Sequence, residues 1–241
     1  MKKVAFIPAR YAATRFPGKL MQKIGNQTII SMVYQNAVGM NLFDGVIVVT
    51  DSEEIVEEIQ KLNGRVVKSK REHQSGSDRI AEACENMDVD IIVNIQGDEP
   101  FIKKQPLESL IRCFDDTSVR VASLMQRFPA NESIDNPNLV KVVCNNLSDA
   151  LYFSRSAIPY KRNTQTEDEV YKHIGVYAYK KDVLLSFTKW PVGRLEKIEL
   201  LEQLRYLENG IAIRMVQTDE ATVGIDTPED LDRAIAYLNK N

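Results

Sequence analysis

Cysteine is scarce. Cys84, Cys113 and Cys144 are the only three in 241 residues, far apart and outside any CxxC spacing. This excludes a disulfide framework and a cysteine zinc site, so the thiols read as reduced cytosolic ones. Long apolar runs are missing as well. The opening "MKKVAFIPAR" is interrupted by Pro8 and Arg10 before it makes the apolar core of a signal peptide, and nothing approaches the ~18 apolar residues of a membrane span. The expectation is a cytoplasmic protein. Nor is positive charge in excess. A net charge of −3 argues against duplex DNA or an anionic membrane as partner, and no basic stripe or aromatic platform suggests nucleic acid. Any positive charge that matters is therefore local. Also lacking are a Ser-His-Asp order, HExxH, a metal-ligand histidine pair, a Walker A motif, GxGxxG and internal repeats, which removes the usual support for several hydrolase, ATPase and dehydrogenase readings.

What remains is an ordinary globular composition, 44% hydrophobic and 27% charged, long enough for one domain or one domain with a lobe. The runs "KVAFIPA", "GVIVVTD", "GRVVKS" and "DIIVNIQGD" are continuously apolar. They alternate with "TIISMVYQNAVGMN", "SEEIVEEIQKLN" and "SGSDRIAEACENM", which carry apolar residues at helical spacing. Continuous strands mean burial on both faces, so the fold class is α/β, doubly wound, with a mostly parallel central sheet. After about residue 119, "VRVASLMQRF", "LVKVVCN", "ALYFSRSAIP" and "KHIGVYAY" follow one another without long helices. That is the spacing of antiparallel pairs. The chain is expected to be a single domain over 1–241 with a small β lobe inserted at about 127–180. "PVGRLEKIELLEQLRYLENG" predicts one amphipathic helix closed by Gly210, and "TPEDLDRAIAYLNK" a last helix capped by Thr227 with Pro228 at N1.

In such sheets ligands bind where the loops leave the carboxyl ends of the strands. Arg10, Arg15 and Lys19 lie there after the first strand, Asp51 after the second, and Gln96, Asp98 and Glu99 after the fourth. A basic and an acidic loop meeting at one edge suit polyphosphate chemistry: Arg forks to phosphate oxygens, Lys gives a compact charge, and a carboxylate takes a hard cation. The alternative for "PARYAATRFPGKL" is a solvated basic loop turning at Pro17-Gly18. Asp98 in "NIQGDEP" pairs naturally with Asp226 in "VGIDTPEDL" as a Mg²⁺ site, although Asp226 could equally cap its helix. Ser75, Gly76 and Ser77 in "HQSGSDR" suit an anion or a base edge, and suit an N-cap as well. His173, Tyr177 and Tyr179 alternate along one strand and should share a face. Glu202 and Gln203 fit a polyol or solvent. Residues alone thus reach a Mg²⁺-dependent, nucleotide-using enzyme with its second substrate unnamed.

Taken together and in order, "PARYAATRFPGK", "HQSGSDR", "NIQGDEP", "NLVKVV", "ALYFSRSAIP", "KHIGVYAY", "LEQLR" and "GIDTPEDL" resemble the 3-deoxy-manno-octulosonate (Kdo) cytidylyltransferases over nearly the whole chain. The resemblance implies formation of CMP-Kdo and pyrophosphate from CTP and Kdo for lipopolysaccharide assembly. It also implies a cytoplasmic, Mg²⁺-dependent homodimer of nucleotide-diphospho-sugar transferase fold, with much of the dimer contact in the β lobe. Carried over by motif, Pro8, Ala9, Arg10, Ser75 and Gln96 would contact the cytidine portion, and Arg15 and Lys19 the phosphates. Asp98 and Asp226 would hold the metal, and Arg79, Arg155, His173, Tyr177, Glu202 and Gln203 the sugar acid. Arg15, Lys19 and Asp98 would carry catalysis. Two departures stand out: Ala13 replaces the family's usual serine before Thr-Arg, and Leu20 its usual proline after the lysine. The 8-amino analogue of Kdo and sialic acid are the competing sugar acids, and a non-catalytic nucleotide-binding module is the competing class.

Overall fold

The computed structural model describes residues 1–11, 16–128, 132–162, 169–220 and 224–238. The chain forms two compact units, Met1–Lys104 with Thr222–Asn241, and Gln105–Ala221.

The first unit begins with β1 (Lys3–Ala9), followed by a small hairpin of β2 (Lys23–Ile24) and β3 (Gln27–Thr28), then α1 (Ile29–Gly39) and β4 (Gly45–Thr50). Next come α2 (Glu53–Lys61), β5 (Val66–Lys68), α3 (Gly76–Cys84) and β6 (Ile91–Asn94). The strands β6, β1, β4 and β5 lie in that order, each parallel to its neighbour. All four residues of β6 and five of the six in β4 are buried, as the continuous apolar runs require. From β1 the chain winds outward through β4 to β5, then returns by α3 to place β6 on the other side of β1. The winding reverses between β1 and β6, so their following loops splay apart at a topological switch point.

The connection into the second unit runs through α4 (Lys104–Arg112). That unit contains β7 (Val121–Arg127), β8 (Lys141–Cys144), β9 (Ala150–Ser154), β10 (Tyr171–Lys180), α5 (Lys181–Phe187), α6 (Arg194–Glu199), α7 (Leu204–Glu208) and β11 (Ile213–Gln217). β10 runs antiparallel to both β7 and β8, β8 to β9, and β11 parallel to β7. The chain then re-enters the first unit and ends in α8 (Pro228–Leu238).

The single helix expected over 191–210 is two. Leu200 takes a left-handed conformation, φ 52°, between α6 and α7. The cause is tertiary. Arg155 Nε donates to the Glu199 carbonyl at 2.7 Å and Nη2 to that of Leu200 at 3.3 Å, while the Glu199 carboxylate accepts from Ser154 Oγ and Arg155 N. Carbonyls that would have continued the helix are captured by a guanidinium instead. Glu202 and Gln203 therefore sit in the turn between two short helices.

Candidate active site

β1 delivers Pro8 and Ala9 to the switch point. Gly97, just past β6, lies so close that a Cβ there would stand 3.0 Å from the Pro8 carbonyl, and a Cβ on Gly76 would stand 3.2 Å from the Pro8 ring. Three segments thus converge on one proline because two of them lack a side chain. Arg10 is exposed and donates to the Gln74 carbonyl at 3.1 Å. Arg15 and Ala13 lie outside the described residues. Gly18, at φ 67°, starts a short 3₁₀ turn over Lys19–Met21 in which Leu20 is buried. At the position of the family's proline, this chain anchors its loop by a core leucine.

That turn carries Lys19 inward. Its Nζ donates to Asp98 Oδ2 at 2.5 Å and to Asp226 Oδ1 at 2.9 Å. Burial opposes the charge on Lys19, but the two carboxylates outweigh it and hold the ammonium above its ordinary pKa. The backbone fixes the pair too: Ile225 N donates to the Asp98 carbonyl at 3.0 Å. Asp226 is not the side chain that caps α8. Thr227 Oγ1 accepts from Asp230 N, and the Asp230 carboxylate accepts from the backbone N of both Asp226 and Thr227.

Two carboxylates converging on one positive point are what Mg²⁺ asks of a protein, since it fills its remaining positions with water and phosphate oxygens. Among the described residues there is no group of three or more His, Cys, Asp or Glu that could cage an ion. The residues fit Mg²⁺ shared with a phosphate better than a metal enclosed by protein. Beside them Glu99 has a buried Oε2 with no hydrogen-bond partner among the described residues. Burial, then the charges of Asp98 and Asp226, push its pKa up to about 8, so it is protonated at neutral pH. Sequence reasoning placed Glu99 at this edge and gave it no role.

Ser75 is the N-cap of α3 in a full capping box: its Oγ accepts from Asp78 N and the Asp78 carboxylate accepts from Ser75 N. Gln96 is half-buried and its carbonyl closes a turn with Glu99 N at 3.2 Å. Arg79 is 1% exposed, donating to Asp51 Oδ2 at 2.7 Å and Ser69 Oγ at 3.2 Å. Burial would raise the Asp51 pKa, yet the hydrogen bond and charge of Arg79 keep it below the usual carboxylate range.

In the second unit, β10 presents the aromatic face expected of it. His173 and Tyr177 have centroids 5.3 Å apart, Tyr177 and Tyr179 stack at 5.6 Å, and Tyr206 of α7 continues the series 5.9 Å from Tyr179. Burial holds His173 neutral, lowering its pKa to about 3. Burial, then Tyr179 and Glu202, raises Tyr177 well above the ordinary phenol value, and the same forces act on Tyr206. Gln203 Nε2 and the Tyr206 hydroxyl are buried without a hydrogen-bond partner among the described residues. Buried polar groups left this way suit the hydroxyls of a polyol. Arg155 is spent locally: besides Glu199 and Leu200, its Nη1 donates to the Pro137 carbonyl at 3.0 Å. Tyr206 and the buried Ser123 of β7 were missed in the sequence; a lone serine inside "VASLM" was the available signal.

With this geometry in hand, comparison with known proteins is decisive. The cytidylyltransferase family model matches residues 4–215. Over 241 aligned residues the chain is 52% identical to the 3-deoxy-manno-octulosonate cytidylyltransferase of Flavobacterium johnsoniae, covering 99% of each chain. It belongs to that family. The enzyme of the same name from Christiangramia forsetii is 51% identical, over 98% of this chain and 96% of the relative. A solved structure of CMP:2-keto-3-deoxy-manno-octonic acid synthetase complexed with CTP superposes with TM-score 0.94 at 39% identity, covering 100% of this chain and 99% of that one. The 4-diphosphocytidyl-2C-methyl-D-erythritol synthase of Anaerococcus prevotii, at 13% identity and TM-score 0.66 over 99% of both chains, shares the fold. The α/β fold and the family resemblance read from the sequence are both borne out.

Proposed function

We propose that this nucleotidyltransferase joins the CMP portion of CTP to Kdo, releasing pyrophosphate and supplying CMP-Kdo for lipopolysaccharide assembly. The observation that carries the reading is the meeting of Asp98 and Asp226 at one cationic point, in a chain of the Kdo cytidylyltransferase family. The cytidine portion is assigned to Pro8, Ala9, Arg10, Ser75 and Gln96, and the phosphates to Lys19 and Arg15. In the second unit His173, Tyr177, Glu202 and Gln203 are assigned to the sugar acid. To reach a sugar carboxylate, Arg79 would have to leave Asp51 and Ser69, and Arg155 its three carbonyls.

Mg²⁺ is the proposed cofactor, with Asp98 and Asp226 as its protein ligands. When bound it neutralises phosphate charge and orients the reacting oxygens. The anomeric hydroxyl of Kdo gives its proton to solvent as its oxygen bonds to the α-phosphorus, and the bond from that phosphorus to the pyrophosphate oxygen breaks with its electron pair leaving on pyrophosphate. Lys19 balances the charge of the departing group, and no protein nucleophile is required. Positioning and electrostatics supply the rate.

A homodimer is proposed through the second unit. Its Leu147, Leu151, Ile198 and Leu200 are all more than half exposed, apolar side chains of the kind a second copy covers. A cytoplasmic location fits the reduced thiols, and no helix among the described residues is long and apolar enough to cross a membrane.

The deciding assay is pyrophosphate release from CTP with Kdo, with its 8-amino analogue and with sialic acid, each with Mg²⁺ and with chelator. Release with Kdo and Mg²⁺ alone supports the reading. Preference for another sugar acid reassigns the substrate, and no release with any of them makes the chain a binding module.

A further inference from the structure

Ser123, fully buried on β7, lies opposite an irregularity in β10 where the pairing register shifts between Ile174 and Tyr177. The shift brings two carbonyls to one hydroxyl. Ser123 Oγ lies 2.9 Å from the Val176 carbonyl and 3.2 Å from that of Ile174, and 3.0 Å from Nε2 of His173. A serine has one O–H to give, and a carbonyl can only accept. Were the proton aimed at His173, both carbonyl oxygens would face serine lone pairs across contacts of 2.9 and 3.2 Å, on a residue with no surface open to solvent. Given to a carbonyl, it leaves a lone pair turned to His173, which must then donate from Nε2. The neutral ring has a single proton, so Nδ1 is left bare. Nδ1 has no hydrogen-bond partner among the described residues, and His173 is not fully buried.

We infer that Ser123 is a positioning residue which locks His173 in the Nε2–H tautomer, so that Nδ1 accepts a hydrogen bond from a hydroxyl of the sugar acid. A bare ring nitrogen repels a carboxylate and takes a hydroxyl. His173 therefore reads the polyol part of the substrate and leaves the acid group to others. This rests on the proposed assignment of His173 to the sugar.

The test begins with the wild-type protein. It has two histidines, so ¹⁵N-labelled protein at neutral pH gives two imidazole spin systems, and His73→Gln identifies the one from His173. Protonated and bare ring nitrogens resonate far apart. A proton on Nε2 of His173 is expected; a proton on Nδ1 overturns the inference. This arm needs no change at Ser123, so it stands if Ser123→Ala does not fold. In folded Ser123→Ala the tautomer should become mixed. KM for Kdo should rise roughly threefold to tenfold, the loss of one hydrogen bond, with KM for CTP unchanged. An Nε2–H ring whose perturbation leaves KM for Kdo where it was also overturns the positioning role. Wild-type turnover with Kdo tests the proposed function separately, and the spectrum reports on Ser123 and His173 either way.

Discussion

Lys19 and Asp226, 207 residues apart in the chain, meet with Nζ 2.9 Å from Oδ1. The same ammonium holds Asp98 at 2.5 Å, so one lysine bridges the two carboxylates proposed as metal ligands. Lys19→Met leaves those carboxylates facing each other without a counter-charge. The side chains are partly exposed, Asp226 nearly half, so solvent screens much of the repulsion, and the loss should be modest at about 1–2 kcal/mol. Mg²⁺ added without nucleotide should then raise the melting temperature of Lys19→Met more than that of wild type, because no ammonium competes for the site. Equal shifts in the two proteins would mean that the ion binds elsewhere.

Asp98→Asn keeps shape and loses charge. Lys19 retains Asp226, so circular dichroism should be unchanged, while turnover falls severely and the Mg²⁺ needed for half-maximal rate rises. Near-normal turnover in saturating Mg²⁺ would remove Asp98 from the metal site.

Glu99 gives a pH signature. Its folded pKa of about 8 lies above the ordinary 4.5, so between these values the folded state binds the proton and the unfolded chain does not. The resulting contribution to stability is fully present below pH 4.5 and is lost as pH rises through 8. In protein freed of divalent ions, Glu99→Gln removes this titration while keeping a neutral group of the same shape. The melting temperature of wild type relative to Glu99→Gln should therefore fall steadily between pH 5 and pH 8. A flat difference would show that Glu99 is ionised throughout.

The parallel sheet is legible in the sequence because its strands are continuous apolar runs, and Asp98 stands out because it follows one of them directly. Other features depend on contacts that no local pattern records. "RLEKIELLEQL" keeps helical period straight through Leu200; what stops it is a guanidinium 45 residues earlier in the chain. "IDTPED" offers two oxygen-bearing side chains in a row to the helix, and only the fold shows that Thr227 takes the cap while Asp226 turns to Lys19. Ser123 escapes notice because a buried serine in a strand carries meaning only once a distorted neighbouring strand brings two carbonyls and an imidazole to it.

Ser75 separates capping from binding. Ser75→Ala loses the cap of α3 and should cost about 1 kcal/mol, roughly 2–4 °C in melting temperature for a chain of this size. Ser75→Asn still caps the helix, and its amide can donate to the Asp78 carboxylate as the hydroxyl does, but it sets a larger group where the nucleotide is assigned. It should melt close to wild type and yet show a raised KM for CTP. If Ser75→Asn binds CTP normally, Ser75 serves the helix alone.

Leu200 tests the proposed dimer by the sign of two effects. A leucine in the left-handed region costs roughly 1–2 kcal/mol, and glycine gives back about 0.5–1 kcal/mol of that through its greater unfolded freedom. At φ 52° and 76% exposure, with no core packing to lose, Leu200→Gly should stabilise the isolated chain by about 0.5–1 kcal/mol. A strained, exposed leucine is explained if a second copy covers it. Leu200→Gly should then weaken self-association, seen by sedimentation equilibrium as dissociation at a higher protein concentration than wild type, even as denaturant melting of the dilute protein shifts upward. Leu151→Glu, on β9 of the same unit, should dissociate the dimer outright, since it buries a charge in the contact. If both variants sediment like wild type, the dimer does not form through this surface.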